Sequence, residues 1–179
     1  ATLALYDITR KNLSMADPSR PGTTIPVGEQ SSRGLELAAT WLMTNNLRLS
    51  GNWALVDAKY DKFVENVGGV GVSRAGNRPT NIPKQVGNLW VAYTPIANLE
   101  VGGDLRYVSS RYADTANTVY DDAYTLLGAY AAYTFDKRTR VTARIKNLTD
   151  KVYAESFSGS SMMYLGAPRT LDVSIQTAF

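Results

Sequence analysis

The connections between strand-like stretches constrain this chain more than any other feature. Eight stretches alternate apolar with polar residues: about Thr2 to Lys11, Ser32 to Leu42, Leu47 to Tyr60, Gln85 to Thr94, Leu99 to Ser110, Ala123 to Phe135, Arg140 to Tyr153, and the last nine residues. That is the period of a half-covered β-strand. The links between them alternate in length. MTNN, PIAN and DKR follow the second, fourth and sixth stretches and have the size and composition of hairpin turns. SMADPSRPGTTIPVGEQ, KFVENVGGVGVSRAGNRPTNIP, RYADTANTVYDD and ESFSGSSMMYLG follow the first, third, fifth and seventh. A compact soluble domain rarely carries several structureless loops of that length, whereas antiparallel barrels of the bacterial outer membrane pair short turns on one side with long loops on the other.

The faces fit the same architecture. Leu35, Leu37, Ala39 and Trp41 oppose Glu36, Ala38 and Thr40, and Leu47, Leu49, Gly51, Trp53 and Leu55 oppose Arg48, Ser50 and Asn52. Leu99, Val101, Leu105 and Tyr107 alternate with Glu100, Asp104 and Arg106; Val141, Ala143 and Ile145 alternate with Thr142, Arg144 and Lys146. The final stretch sets Leu171, Val173, Ile175, Thr177 and Phe179 against Asp172, Ser174, Gln176 and Ala178, which reads as a lipid face and a lumen face. Trp41, Trp53, Tyr93, Tyr107, Tyr133 and Phe179 lie near strand ends or one turn inside them, where barrels carry aromatic girdles. A soluble β-sandwich also alternates, but the two loop lengths and the charged polar faces argue against it.

Composition narrows the chemistry. The chain has no histidine and no cysteine, which removes Ser-His-Asp and Cys-His catalysis, histidine zinc sites and disulfides. The expectation is therefore a protein that is not an enzyme. The 19 basic and 16 acidic residues are not clustered by sign, so no nucleic-acid partner is expected. No apolar run approaches the roughly 18 residues of a spanning helix. The opening ATLALYDITR has neither the basic and apolar regions of a signal peptide nor an initiator methionine, so a processed product or a section of something longer is expected.

Several stretches, in order, resemble the C-terminal part of the barrel of TonB-dependent outer-membrane receptors, the siderophore receptors in particular. These are YDITRKN (Tyr6 to Asn12), VGEQSSRGLELAATW (Val27 to Trp41), NIPKQVGNLWVAY (Asn81 to Tyr93), RIKNLTDKVY (Arg144 to Tyr153) and the closing GAPRTLDVSIQTAF. The resemblance covers essentially the whole chain. It implies an all-β, antiparallel transmembrane barrel segment of eight strands, the C-terminal part of a barrel of about 22 strands, in the bacterial outer membrane. Residues 1–179 would all be barrel, without the plug domain or the energy-coupling box of the family. A fragment of this kind has two edge strands, which leaves three arrangements open: self-closure, edge-to-edge pairing of chains, or membership of a longer chain.

The family's function implies import of a ferric siderophore as cargo, with no directly bound cofactor. Its partners would be outer-membrane lipid, TonB through the missing N-terminal region, and the barrel-assembly machinery, which reads a terminal aromatic such as Phe179 as its signal. A porin-like or translocator barrel without active transport is the alternative. Siderophores present oxygen donors around iron, met by aromatic surfaces and hydrogen-bond donors. In the long loops and the strand ends below them the candidates are Arg74, Arg78, Tyr112, Tyr120, Tyr124, Phe157 and Tyr164, each of which also reads as girdle or loop packing. The carboxylates Asp57, Asp61 and Glu65, and Asp121 with Asp122, lack a calcium-loop pattern and read as solvated loop charge rather than a metal site. GGVGVSRAGN lacks the βαβ context of a nucleotide loop, and Asn147, although in an NLT sequence, is expected to help its strand leave the membrane band.

Overall fold

The computed structural model describes every residue except 18, 21, 137, 160 and 179, so the assembly signal assigned to Phe179 lies outside the described residues. In chain order the strands are β1 (Thr2–Ala16), β2 (Thr24–Thr44), β3 (Leu47–Lys62), β4 (Val64–Val67), β5 (Val70–Ser73), β6 (Gln85–Ile96) and β7 (Leu99–Val108). They continue as β8 (Arg111–Tyr112), β9 (Tyr120–Asp121), β10 (Tyr124–Thr134), β11 (Thr139–Lys146), β12 (Ala154–Ser158), β13 (Met162–Leu165) and β14 (Thr170–Thr177). Eight of them form one sheet in the order β1-β2-β3-β6-β7-β10-β11-β14, a meander in which each neighbour is antiparallel. The eight expected strands are these eight.

Self-closure is not what the chain adopts. Among the described residues β1 pairs only with β2, and β14 only with β11, so the sheet is an open wall with two free edges.

Two expectations need correction. The connection after the first strand shrinks to residues 17–23, because β1 runs on to Ala16 and β2 starts at Thr24 rather than near Ser32. Pro26 and Gly28 look like loop residues. However, β2 meets β3 only from Glu29 onward, so Pro26, opposite Ser14 of β1, sits where β2 is itself an edge and a missing N–H is tolerated. Gly28 faces the bulge around Leu13, where an added Cβ would stand 2.9 Å from that of Leu13. The other long connections are not structureless either. Each folds into its own hairpin: β4 with β5, β8 with β9, and β12 with β13.

The seventh strand also stops early, at Lys146 rather than near Tyr153. Asn147 and Asp150 hold φ of 48° and 53°, left-handed values that end an extended strand, so Asn147 does help its strand out of the sheet. The short turns hold as expected, with Asn45–Asn46 and Ala97–Asn98 at two of the hairpin tips.

Cross-strand register shows where the apolar face ends. Leu3, Leu37 and Trp53 stand side by side, and Leu5, Leu35 and Leu55 form the next row toward the long loops. The row after that is Asp7, Arg33 and Asp57. Apolar surface therefore gives way to charge within one row, as at the rim of a hydrocarbon layer. The leucines are bare to the outside: Leu5 is 75% exposed and Ile175 70%. Trp53 and Tyr107 stack on this face with ring centroids 5.6 Å apart, across Gly87, where a Cβ would meet the Trp53 ring at 2.3 Å.

The opposite face is a polar ladder. Arg140 contacts Glu100 at 3.0 Å, and the Tyr130 hydroxyl donates to the same carboxylate at 3.1 Å. Arg144 pairs with Asp104 at 3.8 Å while lying over the Tyr130 ring, and Asn88 donates to Asn52. No large side chain is fully buried among the described residues. A sandwich must bury one face of each sheet, so that reading is excluded. What burial exists gathers mostly at the long-loop end, at Met15, Ala58, Tyr60, Val108, Ala113, Tyr124 and Ala154, with Ala132 near the short-turn end of β10 the exception.

Candidate ligand-binding site

Three of the long connections, residues 63–84, 109–123 and 147–169, are tied together by asparagine side chains that act as pieces of backbone. Asn81 donates from Nδ2 to the Phe157 carbonyl at 2.8 Å and accepts the Phe157 N–H on Oδ1 at 2.8 Å. Asn117 repeats the device, donating to the Arg78 carbonyl at 2.8 Å and accepting its N–H at 2.7 Å. Asn77 donates to the Thr115 carbonyl, and the Asn81 N–H donates to the Tyr112 carbonyl. Asn81 and Asn117 have φ of 63° and 60°, a region asparagine enters more readily than most residues.

Asp114 closes the turn of the middle loop. Burial works against its carboxylate, but hydrogen bonds from the Thr118 hydroxyl and the Val119 and Thr118 amides outweigh it and hold its pKa below the ordinary value.

Two arginines are buried in this junction. Arg111 donates to the carbonyls of Ala154 and Glu155, lies 3.6 Å from Asp121, and packs its guanidinium over the rings of Tyr124 and Phe157. Its Nε finds no hydrogen-bond partner among the described residues. Arg78 reaches Asp57 at 3.6 Å. Burial lowers its pKa, and the nearby Asp57 and Tyr112 partly restore it. Around these arginines opens a pocket of about 300 Å³ lined by Arg78, Lys84, Ser110, Arg111, Tyr112 and Tyr120. Three cationic side chains and two phenols suit an oxygen-rich, electron-rich group such as a carboxylate or a catecholate.

Of the residues singled out from sequence, Arg78, Tyr112 and Tyr120 meet in this pocket. Tyr124 and Phe157 stand behind it as the rings under Arg111; Tyr124 also leans on Tyr153, 4.7 Å between centroids. Arg74 is not part of it. Its Nε and Nη2 both hold Glu65 at 2.8 Å across the β4–β5 hairpin, a strut rather than a ligand group. Tyr164 does not line the pocket but stands exposed on β13, its hydroxyl against the Met162 sulfur. Lys84, Ser110, Arg111 and the clamping Asn81 and Asn117 are additions. Arg111 had a signal, as the one arginine of its loop and the neighbour of Tyr112.

The acidic candidates are taken up separately by cations: Asp57 by Arg78, Asp61 by Lys59 and Glu65 by Arg74. Among the described residues no group of three or more acidic, histidine or cysteine side chains could hold a metal ion. Gly68 and Gly69, from the glycine-rich stretch, form the tip of the β4–β5 hairpin with positive φ.

Comparison with known proteins gives a consistent picture. Residues 1–148 match the family model described as TonB dependent receptor-like, beta-barrel. The metal-pseudopaline receptor CntO of Pseudomonas aeruginosa is 31% identical over 179 residues, covering 97% of this chain and 24% of that protein. The ferrichrome outer membrane transporter/phage receptor of Escherichia coli K12 is 29% identical, covering 94% of this chain and 22% of that protein. The crystal structure of the siderophore receptor PiuA from Acinetobacter baumannii superposes with a TM-score of 0.85 at 26% identity, over 98% of this chain and 25% of that one. The ferric preacinetobactin receptor BauA from the same organism gives 0.78 at 30% identity, over 98% and 26%. The chain thus spans about a quarter of the length of the curated relatives it matches.

Proposed function

The chain belongs to the TonB-dependent receptor β-barrel family, and from that premise we propose that it forms the C-terminal wall of a bacterial outer-membrane receptor that imports ferric siderophores. The observation that carries the reading is the junction of three long loops, which gathers Arg78, Lys84, Arg111, Tyr112 and Tyr120 at the outer end of an otherwise lipid-facing wall. The several relatives named for siderophore or metallophore uptake support it.

In this reading the polar ladder faces the lumen and the apolar rows face lipid. The pocket contacts one part of a chelate that the remaining barrel and a plug surround. Energy arrives from TonB through a region outside this chain, Phe179 serves the assembly machinery, and no bond is made or broken in the cargo.

The test is iron-restricted growth of cells whose only copy of the complete receptor is deleted, fed a panel of ferric siderophores. Loss of growth on one or more of them, restored by the gene and dependent on TonB, is expected. Growth undiminished on every one refutes the uptake reading, and a defect independent of TonB favours the passive barrel.

A further inference from the structure

The side chains that line the loop pocket offer donors and no negative charge. Arg78, Lys84 and Arg111 can only donate, Ser110, Tyr112 and Tyr120 bring hydroxyls, and no carboxylate or carboxamide is among them. We propose that this pocket receives a free carboxylate of the iron chelate, so that the cargo is a carboxylate-bearing, anionic ferric chelate and not a neutral one such as a tris-hydroxamate. The proposal rests on the uptake reading and narrows it.

The cations are only partly matched within the fold. Arg111 is 7% exposed and gives its Nη groups to the carbonyls of Ala154 and Glu155, which leaves the buried Nε without a partner among the described residues. Arg78 is 8% exposed, yet its guanidinium contacts are long, 3.5 Å to the Val56 carbonyl and 3.6 Å to Asp57. The Asp57 side chain is itself 85% exposed and points its charge largely into water. Lys84 makes no ion pair or side-chain hydrogen bond among the described residues. Three cations thus face two carboxylates, Asp57 and Asp121, and one positive charge is left over. A buried cation with weak partners is unfavourable, and burial already lowers the Arg78 pKa; an anion in the pocket supplies the missing partner.

Pocket size separates the anionic classes. At about 300 Å³ it lies at the small end of ligand sites and admits an arm of a chelate rather than its metal core. In a catecholate chelate both oxygens of each ring are bound to iron, so the charge stays at the core. A carboxylate outside the iron-binding groups projects away from the metal, and its two oxygens match the fork of Arg78, with Lys84 in the same lining. A neutral tris-hydroxamate brings no charge to any of the three cations.

The complete receptor carrying this chain, purified in neutral detergent, can be titrated by tryptophan fluorescence with four iron-loaded probes. These are aerobactin, which has two carboxylates outside its iron-binding groups, the dimethyl ester of those two groups, the neutral tris-hydroxamate ferrichrome, and the tris-catecholate enterobactin. Aerobactin should bind more tightly than the other three. Lys84→Gln should weaken aerobactin binding by roughly 10-fold, and Arg78→Gln with Lys84→Gln by roughly 100-fold, about tenfold for each charged hydrogen bond lost. The double variant should no longer distinguish aerobactin from its ester. If it lacks the gel shift between unheated and boiled samples that marks a folded barrel, Lys84→Gln alone carries the test. Tighter binding of ferrichrome, enterobactin or the ester by wild type, or unchanged aerobactin affinity in the folded variants, overturns the carboxylate assignment and leaves the uptake reading standing. Binding of none of the four overturns the assignment as well, and uptake is then judged by the growth panel alone.

Discussion

Deleting the side chain of Asn81 should unpin one outer loop from another and leave the barrel wall untouched. Glycine is the right replacement, because Asn81 holds φ of 63° and glycine enters that region without strain. What is lost is the pair of hydrogen bonds to Phe157, both at 2.8 Å and both part-buried. At about 1 kcal/mol net for each bond the clamp contributes about 2 kcal/mol; water reaches a part-buried amide, so the larger penalty of a sealed, orphaned group is not incurred. That free energy corresponds to a roughly 30-fold rise in the open population of the segment. Hydrogen–deuterium exchange of the complete receptor should show residues 154–158 exchanging faster by that factor, with β6 unchanged. Asn81→Asp keeps the acceptor for the Phe157 N–H and loses only the donor, so it should give about half the free-energy effect. If Asn81→Gly leaves exchange over 154–158 as in wild type, Arg111 alone holds the loops. If the acceleration spreads through β6, Asn81 supports the wall and the clamp argument is wrong.

Arg111→Met should weaken the same junction more severely, since it strips two carbonyls of their donor and leaves Asp121 without its cation. Breaking a buried pair costs about 3–5 kcal/mol, and partial exposure of Asp121 places the expected loss near 3 kcal/mol, read as a lower temperature for losing the unheated gel mobility; an unchanged transition contradicts it. Because the Asp114 pKa is depressed in the fold, its contribution is complete above the unfolded value and is lost as pH falls through the folded one, below about pH 4. The chain has no cysteine, so a spin label on Ala116→Cys should gain mobility only on acidification past that point. In Asp114→Asn it should be mobile at every pH, and a label insensitive to both changes would refute the turn's role. Val173→Arg, on the lipid face, should cost assembly about 2–4 kcal/mol if near the bilayer middle, whereas Ser174→Arg beside it should be tolerated; equal losses would reverse the assignment of the faces.

The wall was legible in sequence because a strand's two faces are set by local alternation, and lipid on one side with polar lumen on the other keeps that alternation clean. Leu47 to Leu55 and Leu171 to Ile175 needed no tertiary information. The loops were not legible in the same way. Pro26 and Gly28 carry turn signals, yet they lie in β2, because the tolerance for proline depends on whether a third strand is present at that level. The pocket was half visible. Tyr112, Tyr120 and Arg78 stood out as donors and rings in long loops, but nothing local shows that Arg74 spends both donor edges on Glu65, or that Asn81 reaches Phe157, 76 positions away in sequence. Such pairings are decided by which loops stack, and that follows from strand order.

The two stretches that made the chain most recognisable turn out to grip each other. From RIKNLTDKVY, Asn147 donates to the carbonyls of Lys151 and Ala167, and Asp150 accepts the Arg169 N–H at 2.8 Å. From GAPRTLDVSIQTAF, Gly166 donates its N–H to the Tyr153 carbonyl and lies so close beneath the Tyr153 ring that a Cβ would fall 1.9 Å from it. Tyr153 in turn backs Tyr124, and Tyr124 backs Arg111. The motifs are thus a buckle that returns the chain into β14 and sets the platform under the pocket. Asn147 is 6% exposed with both amide atoms engaged, which leaves it no room to act as a glycosylation acceptor. A buckle of this kind can be shared by receptors for unlike cargoes, because none of its groups line the pocket. On the proposed function, selectivity falls to Lys84, Tyr112 and Tyr120, which the motif residues support and do not choose.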